Sequence, residues 1–225
     1  MMSQSFSLFP LDILYNDQRI VIINKPAGIP VHSNVAGTIS IESCFPALSK
    51  RRDGPWLAHR LDTDTSGCLA IALRKQPLIA LQEAFANKTA LKTYWAVVQG
   101  HPEGESGTIS LPLLKQNDRH KGWRIITDPK GSPATTSWRV LGRSDTLTWL
   151  ELTLHTGRTH QARVHCAAMG WPIAGDNLYG TEHKHGLHLL AQSLVLPFTP
   201  RIAVTAPPRA AMLPALVQCG WKEET

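Results

Sequence analysis

The sequence predicts an α+β fold in which helices flank a mixed, mostly antiparallel β-sheet. Its 225 residues are 43% apolar, enough for one substantial core, so we expect a single domain over residues 1–225. Runs of β-branched and aromatic residues outnumber segments with helical periodicity. These runs follow one another in pairs joined by short turns and do not alternate with helices, which favours antiparallel pairing.

In the first half of the chain, four apolar and β-branched segments predict strands: 12–15, 19–24, 68–73 and 90–99. The prolines and glycine of residues 25–32 predict a rigid loop. A short helix is expected over residues 38–49 with Thr38 as N-cap. A longer helix is expected over residues 76–87, where apolar residues recur on one face.

In the second half, hairpins are expected over residues 101–133, which are rich in glycine and proline. Further strands are expected at residues 135–141, 147–154, 187–196 and 201–205, before a small terminal helix. Residues 158–165 are compatible with a helix that places Arg158, Gln161 and His165 on one side. The N-terminus of such a helix favours anions.

The overall charge leaves two interpretations open. Lysine and arginine exceed aspartate and glutamate by 23 − 17 = 6, and the sequence pI is about 9.3. This balance is typical of nucleic-acid-binding proteins, but many proteins are mildly basic for solubility alone.

The compartment is predicted from the cysteines and from hydropathy. The four cysteines are dispersed and include no C-x-x-C pair, so we expect neither disulfides nor a zinc site. No run approaches the ~18 apolar residues that span a bilayer, and the N-terminus does not resemble a signal peptide. We therefore expect a cytoplasmic protein without membrane partners.

Residues 59–67 form the densest polar run in the chain, between two apolar segments. Scaffolds often hold functional groups in such loops. The run starts like a calcium-binding loop, but its twelfth position, where such loops carry glutamate, is Leu73. Calcium is therefore rejected.

Two other sites are weaker alternatives. Asp62 and Asp64 have the spacing of a phosphotransfer pair, but no β-α-β pattern supports the corresponding sheet. His183, His185 and His188 offer three imidazoles, yet no carboxylate or thiolate in register completes a metal shell, so we expect no metal. What remains is a lone carboxylate, Asp62, with arginines and a tyrosine available to serve it.

Five segments of the chain form a combination that is highly specific when taken together. They are Asn24-Lys25-Pro26-Ala27-Gly28 with Val31-His32, the run from His59 to Gly67, Lys92-Thr93-Tyr94, Gly157-Arg158-Thr159-His160-Gln161 with Arg163-Val164-His165, and Pro172-Ile173 with Gly175-Asp176 and Tyr179-Gly180. In order and spacing, across roughly residues 12–208, the chain resembles the RluA-type RNA pseudouridine synthases.

The resemblance implies an isomerase that turns a uridine of RNA into pseudouridine without cofactor or metal, in a cleft across the sheet. It implies that Asp62 is the catalytic aspartate, which acts at ribose C1′ while the uracil turns and its C5 rejoins the sugar. Tyr94 would stack on the uracil and help to move the C5 proton. Arg158 would pair with Asp62 and keep it ionised.

The target base must leave its stack before it can react. The resemblance assigns Arg60 to the space that the base vacates and His59 to bracing the same loop beside the RNA. Three further basic residues are expected to be phosphate contacts or scaffold: Lys25, Lys92 and Arg163. Thr63 and Asp64 are expected to be incidental.

The chain departs from the family pattern at Ala162, Ala174 and Leu190, which affects local packing and leaves the catalytic set intact. The match begins near residue 12, so we expect no N-terminal S4 domain. The expected substrate is tRNA, 23S ribosomal RNA or both, and the expected state is a monomer. The alternative function is a catalytically idle RNA-binding chaperone that retains the fold.

Overall fold

The computed structural model describes residues 11–33, 35, 37–51, 53–118, 122–181 and 185–223. The strands, β1 to β12 in chain order, are Ile13–Asn16, Ile20–Lys25, Trp56–Leu57, Ser66–Ala72, Leu91–Gln99, Ser106–Ile109, Leu113–Asp118, Gly122–Thr127, Thr136–Arg143, Leu147–Leu154, Leu189–Leu196 and Ile202–Thr205. The helices, α1 to α4, are Phe45–Leu48, Lys75–Ala86, Gln161–Ala168 and Leu213–Gln218. Short 3₁₀ turns at Ile41–Cys44 and Ala210–Met212 precede α1 and α4.

The predicted α+β class is confirmed. Sequential strands pair in antiparallel hairpins, as in β1 with β2, β7 with β8, β9 with β10, and β11 with β12. The helices follow individual strands and do not alternate regularly with them. The chain divides into two compact units, Met1–Ala90 with Ser193–Ala206 and Leu91–Gln192 with Pro207–Thr225. The single domain over residues 1–225 stays a prediction.

The first unit is built around β4, in which all seven residues are buried. Its neighbours β2 and β3 pair with it in antiparallel register, and β2 ends where Lys25 faces Gly67. Helix α2 contributes the buried Leu81 and Ala84 at a helical spacing of three residues. The loop that precedes β4 is therefore attached to a rigid, buried strand.

The second unit contains a run of strands in the order β5, β10, β9 and β6, all paired antiparallel. The two-stranded ribbon of β7 and β8 packs through Leu113 and Ile125 in a core cluster with Ala134 and Val164 of α3. All four cysteines of the chain are free and buried.

Two helix starts differ from their predictions. The first helical segment begins after Ser40, whose backbone N–H donates to Ser43 Oγ, and Thr38 is not its cap. Helix α3 begins at Gln161 because His160 adopts a left-handed conformation with φ of 53°. Arg158 consequently lies in the turn before α3, while Gln161 and His165 lie on the helix.

Candidate active site

Asp62 lies in the loop that leads into β4. The N–H of Thr65 donates to the Asp62 carbonyl over 3.2 Å and closes a tight turn directly before the strand. The Asp62 side chain is half-buried. Within the described part of the chain, its carboxylate makes no hydrogen bond or ion pair. The backbone thus fixes the residue while the carboxylate oxygens remain available for chemistry.

Lys25 holds this turn from inside. Its side chain is fully buried, and Nζ donates to the carbonyls of Pro26, Ile29 and Thr63 at 2.7, 2.7 and 2.9 Å. The N–H of Gly28 donates to the same Thr63 carbonyl. A phosphate contact would require an exposed ammonium, so this burial favours the scaffold alternative for Lys25. The backbone of Thr63, expected to be incidental, is the anchor point.

The charge of Lys25 is tied to both aspartates of the loop. Burial lowers the pKa of Lys25 to about 8, and the negative charges of Asp64 and then Asp62 oppose this shift. Asp64, expected to be incidental, therefore contributes to the electrostatics of the loop.

His59 braces the other side of the loop. Its Nε2 accepts a hydrogen bond from the N–H of Ala70 in β4 over 2.9 Å, which places the ring proton on Nδ1. The ring packs on Phe85 of α2 with centroids 4.5 Å apart. These contacts assign His59 to bracing the loop. Arg60, the next residue, is exposed.

Two hydroxyl groups of the loop are buried without a partner. Thr65 and Ser66 are 2% and 3% exposed, and neither Thr65 Oγ1 nor Ser66 Oγ has a hydrogen-bond partner among the described residues. A buried hydroxyl without a partner costs roughly 1–3 kcal/mol. Such groups are uncommon in native proteins, and a bound water or a functional role can account for them.

The predicted tyrosine and lysine lie in the second unit. Tyr94 is buried in β5, and Lys92 lies two residues before it, on the same side of the strand. Burial lowers the pKa of Lys92. A methyl group added at Gly157 would lie 3.6 Å from Lys92 Nζ, so the ammonium faces the turn that carries Arg158.

Arg158 is exposed and lies in a turn that a side chain of α3 holds in place. Its N–H donates to Gln161 Oε1 over 3.2 Å, and its Nε donates to the Pro133 carbonyl over 3.2 Å. These are the hydrogen bonds that Arg158 donates within the described residues. The remaining guanidinium donors can therefore bind an anion.

A second group of polar side chains, here called the α3 polar cluster, comprises Thr136, Gln161, Arg163, His165 and Asp176. All five are buried. Gln161 Nε2 donates to Thr136 Oγ1, the hydroxyl of Thr136 bonds to His165 Nδ1, and His165 Nε2 donates to the Leu111 carbonyl. Burial lowers the pKa of His165, so the ring is neutral at pH 7.

Arg163 and Asp176 form the charged part of the α3 polar cluster. Two guanidinium N–H groups donate to the carboxylate over 2.8 and 2.7 Å. Burial alone would raise the pKa of Asp176, but the hydrogen bonds and charge of Arg163, with two backbone N–H donors, hold it below its usual value. The two guanidinium N–H groups are thus used inside the fold, which favours the scaffold alternative for Arg163.

Trp123 lies outside both the Asp62 loop and the α3 polar cluster. Trp123 is 47% exposed on β8, with its ring stacked on His160 and the Lys115 ammonium 4.9 Å from its centroid. His183 lies outside the described residues. Within the part of the chain that the structure describes, no group of three His, Cys, Asp or Glu side chains is placed to hold a metal ion. No helix there is long and apolar enough to cross a membrane.

Residues 19–168 match the model of a protein family described as RNA pseudouridylate synthase. The chain belongs to the RluA-type family of RNA pseudouridine synthases. These enzymes are isomerases that convert uridine to pseudouridine in RNA. The matched range includes the Asp62 loop, Tyr94, Arg158 and α3 through its last residue.

Curated relatives agree with this family. An uncharacterised RNA pseudouridine synthase of Zymomonas mobilis is 41% identical over 201 residues, which cover 86% of this chain and 91% of the relative. The ribosomal large subunit pseudouridine synthase C of Vibrio cholerae is 39% identical over 168 residues, covering 75% of this chain and 52% of the relative. This chain thus spans about half the length of the Vibrio synthase.

Solved structures confirm the pseudouridine synthase fold. Human RNA Pseudouridylate Synthase Domain Containing 4 matches with a TM-score of 0.78 and 25% identity over 95% of each chain. Human RNA Pseudouridylate Synthase Domain Containing 1 matches with a TM-score of 0.79 and 26% identity, over 97% of this chain and 90% of that one.

Several features of the site were not apparent from the sequence. The residues in question are Thr63, through its carbonyl, and Thr65 and Ser66, through their hydroxyls. A carbonyl is present in every residue, so the role of Thr63 has no side-chain signal. The signal that was available is Pro26 and Gly28 next to Lys25, since these residues stiffen the segment that carries the lysine.

Proposed function

We propose that this pseudouridine synthase isomerises a uridine of tRNA or 23S ribosomal RNA with Asp62 as its catalytic carboxylate. The observation that supports Asp62 is its setting: a half-buried carboxylate without hydrogen bond or ion pair in the described chain, on a turn that Lys25 clamps. A structural aspartate such as Asp176 accepts hydrogen bonds with its carboxylate oxygens. The carboxylate oxygens of Asp62 are left available to the substrate.

The reaction gives the carboxylate a defined task. Asp62 acts at ribose C1′ as the glycosidic bond breaks, the uracil turns while it stays bound, and C5 then bonds to C1′. The proton on C5 leaves last, and the phenol of Tyr94 is proposed to help remove it. Arg158 is proposed to pair with the reacting carboxylate through the donors that its turn leaves unused.

The substrate base must be extruded from its stack, which costs a few kcal/mol. Arg60 is exposed in the same loop as Asp62, and we propose that its side chain enters the vacated stack. Lys92 remains a candidate for contact with the RNA backbone. A ribosomal substrate is supported by the name of the Vibrio relative, a ribosomal large subunit pseudouridine synthase, and tRNA by the resemblance of the motifs. We propose that the protein acts on these RNAs in the cytoplasm and as a monomer.

The decisive experiment compares two aspartates of one loop. Cells that lack the gene are complemented with the wild type, Asp62→Asn or Asp64→Asn, and pseudouridine is mapped in total RNA. Wild type and Asp64→Asn restore the missing sites, while Asp62→Asn restores none, because only Asp62 reacts with the substrate. The sites that return also identify the target RNA.

Purified Asp62→Asn is expected to unfold at the same temperature as the wild type, because no described hydrogen bond is lost. Restoration of the same sites by Asp62→Asn would show that this carboxylate is dispensable. Equal failure of Asp64→Asn would show that the charge of the loop matters and not one reacting group.

A further inference from the structure

A surface cavity of about 270 Å³ lies in the first unit, away from the Asp62 loop. Its apolar lining includes Ile20 of β2, Pro77 and Ala80 of α2, and Phe198. Polar lining comes from Arg19, Arg74 and Gln76. The volume is close to the lower end of small-molecule pockets, roughly 300 Å³.

Strand β4 separates this cavity from the catalytic loop. Asp62 lies a few residues before the start of β4, and Arg74 lies just after its end. The strand has seven residues, and at ~3.3 Å per residue it places the two ends roughly 20 Å apart. A ligand in the cavity is therefore distinct from the reacting uridine.

The rim of the cavity is cationic. The Arg74 guanidinium makes no hydrogen bond or ion pair within the described residues. Arg19 is 57% exposed and donates to Asp17 through Nε and one terminal nitrogen, so part of its charge is neutralised. Asp53 is another carboxylate near Arg74. Its pKa is lowered by its hydrogen bond with Arg51 and, less strongly, by the charge of Arg74.

The apolar part of the cavity and its charged rim suit different parts of one ligand. Phe198 is half-buried and offers a ring for stacking, and stacking on an aromatic side chain tolerates any nucleobase. A guanidinium binds a phosphate group through parallel N–H donors. The first N–H groups of α2, which starts after Arg74, add partial positive charge at the same edge.

We propose that this cavity is a second RNA contact, in which one nucleotide of the substrate strand places its phosphate against Arg74 and its base against Phe198. The proposal rests on the proposed function only in taking RNA as the ligand. It extends the RNA-binding surface beyond the catalytic loop, to the far end of β4.

The test uses a fluorescein-labelled 20-nucleotide oligouridylate and the full chain, with binding measured by anisotropy over a series of KCl concentrations. Arg74→Gln is expected to weaken binding roughly three- to ten-fold and to reduce the slope of log K against log salt by ~0.7, the value for one phosphate contact with a single strand. Arg74→Lys, which keeps the charge, is expected to retain the slope.

Phe198→Leu provides an independent signature. Loss of base stacking is expected to weaken binding about five-fold or more without changing the salt slope, because no charge is removed. Lys88→Gln is the matched control, since it removes one positive charge just beyond the opposite end of α2. This variant is expected to bind and respond to salt like the wild type.

An unchanged salt slope for Arg74→Gln, or unchanged affinity for Phe198→Leu, overturns the proposal. Arg74-dependent binding of free UMP with no change for the oligouridylate would assign a small-molecule site and overturns it as well. Thermal unfolding of each variant confirms that it is folded. Because binding is measured without turnover, the result is independent of whether Asp62 is catalytic.

Discussion

The Asp62 loop of the first unit and the α3 polar cluster of the second both bury polar groups, but they satisfy them differently. In the α3 polar cluster, hydrogen bonds link Gln161, Thr136 and His165, and Arg163 pairs with Asp176. In the loop, Thr65 and Ser66 have no partner for their hydroxyls among the described residues. A cluster whose polar groups bond to one another supports the fold, whereas a loop whose hydroxyls lack such partners is suited to a ligand.

The largest effect is expected from breaking the ion pair of the α3 polar cluster. Arg163→Met leaves the Asp176 carboxylate buried without its partner and should lower the free energy of unfolding by ~3–5 kcal/mol. Urea unfolding measures the loss. Arg139→Met is the control, because the Arg139–Glu151 pair is exposed and should contribute less than ~1 kcal/mol. Similar losses at both sites would mean that burial does not distinguish the two pairs.

Lys25 allows a test of pH dependence in the loop. Its pKa is about 8 when folded against 10.5 for the free side chain, so between these values the unfolded chain holds a proton that the folded chain has released. The free energy of unfolding attributable to Lys25 therefore rises with pH across this window, by up to ~3 kcal/mol, and the burial penalty is fully present below pH 8.

The measurement is urea unfolding from pH 7.5 to 10.5 for the wild type, Lys25→Met and the exposed control Lys50→Met. The stability of the wild type relative to Lys25→Met should increase with pH, while Lys50→Met should follow the wild type. Parallel curves for all three proteins would show that the ammonium of Lys25 is not desolvated.

An intermediate effect is expected at Arg158. Arg158→Ala should lower kcat roughly 10–100-fold with little change in RNA affinity, because its partner in the reaction is a carboxylate and not the RNA backbone. Single-turnover rates and binding are measured on the RNA identified by pseudouridine mapping, with Lys130→Ala as an exposed control. Equal losses of rate and affinity would instead assign Arg158 to a phosphate group.

The smallest effect compares the same substitution in both regions. Thr136→Val removes a hydroxyl that bonds Gln161 and His165 and should cost ~1–3 kcal/mol. Thr65→Val removes an unpartnered hydroxyl and should be neutral or stabilising by up to ~1 kcal/mol. Urea unfolding at pH 7 tests both. Equal destabilisation would show that Thr65 has a structural partner.

Most of the secondary structure could be predicted from the sequence, because its signals are local. The predicted strand 90–99 corresponds to β5, Leu91–Gln99, and the predicted helix 76–87 to α2, Lys75–Ala86. In each case a periodic apolar pattern ends at a glycine or polar residue. The start of α3 was placed too early, because the left-handed conformation of His160 has no equally local signal in a non-glycine residue.

The site was less predictable than the strands. Asp62 was identified through a motif, but the burial of Lys25 depends on the Thr63 carbonyl, 38 residues away. A lysine in a short polar stretch normally indicates exposure. The pairing of β2 with β4 brings the ammonium group of Lys25 to the loop. No local pattern in the sequence specifies this contact.

The bond between Lys25 and Thr63 also links activity to the order of folding. The Asp62 turn acquires its anchor only after a segment of 38 residues has closed, and closure of such a loop is opposed by chain entropy until β2 and β4 pair. The loop therefore reaches its working geometry only when β2 and β4 have paired. A chain in which β2 and β4 have not yet paired should therefore bind RNA without modifying it.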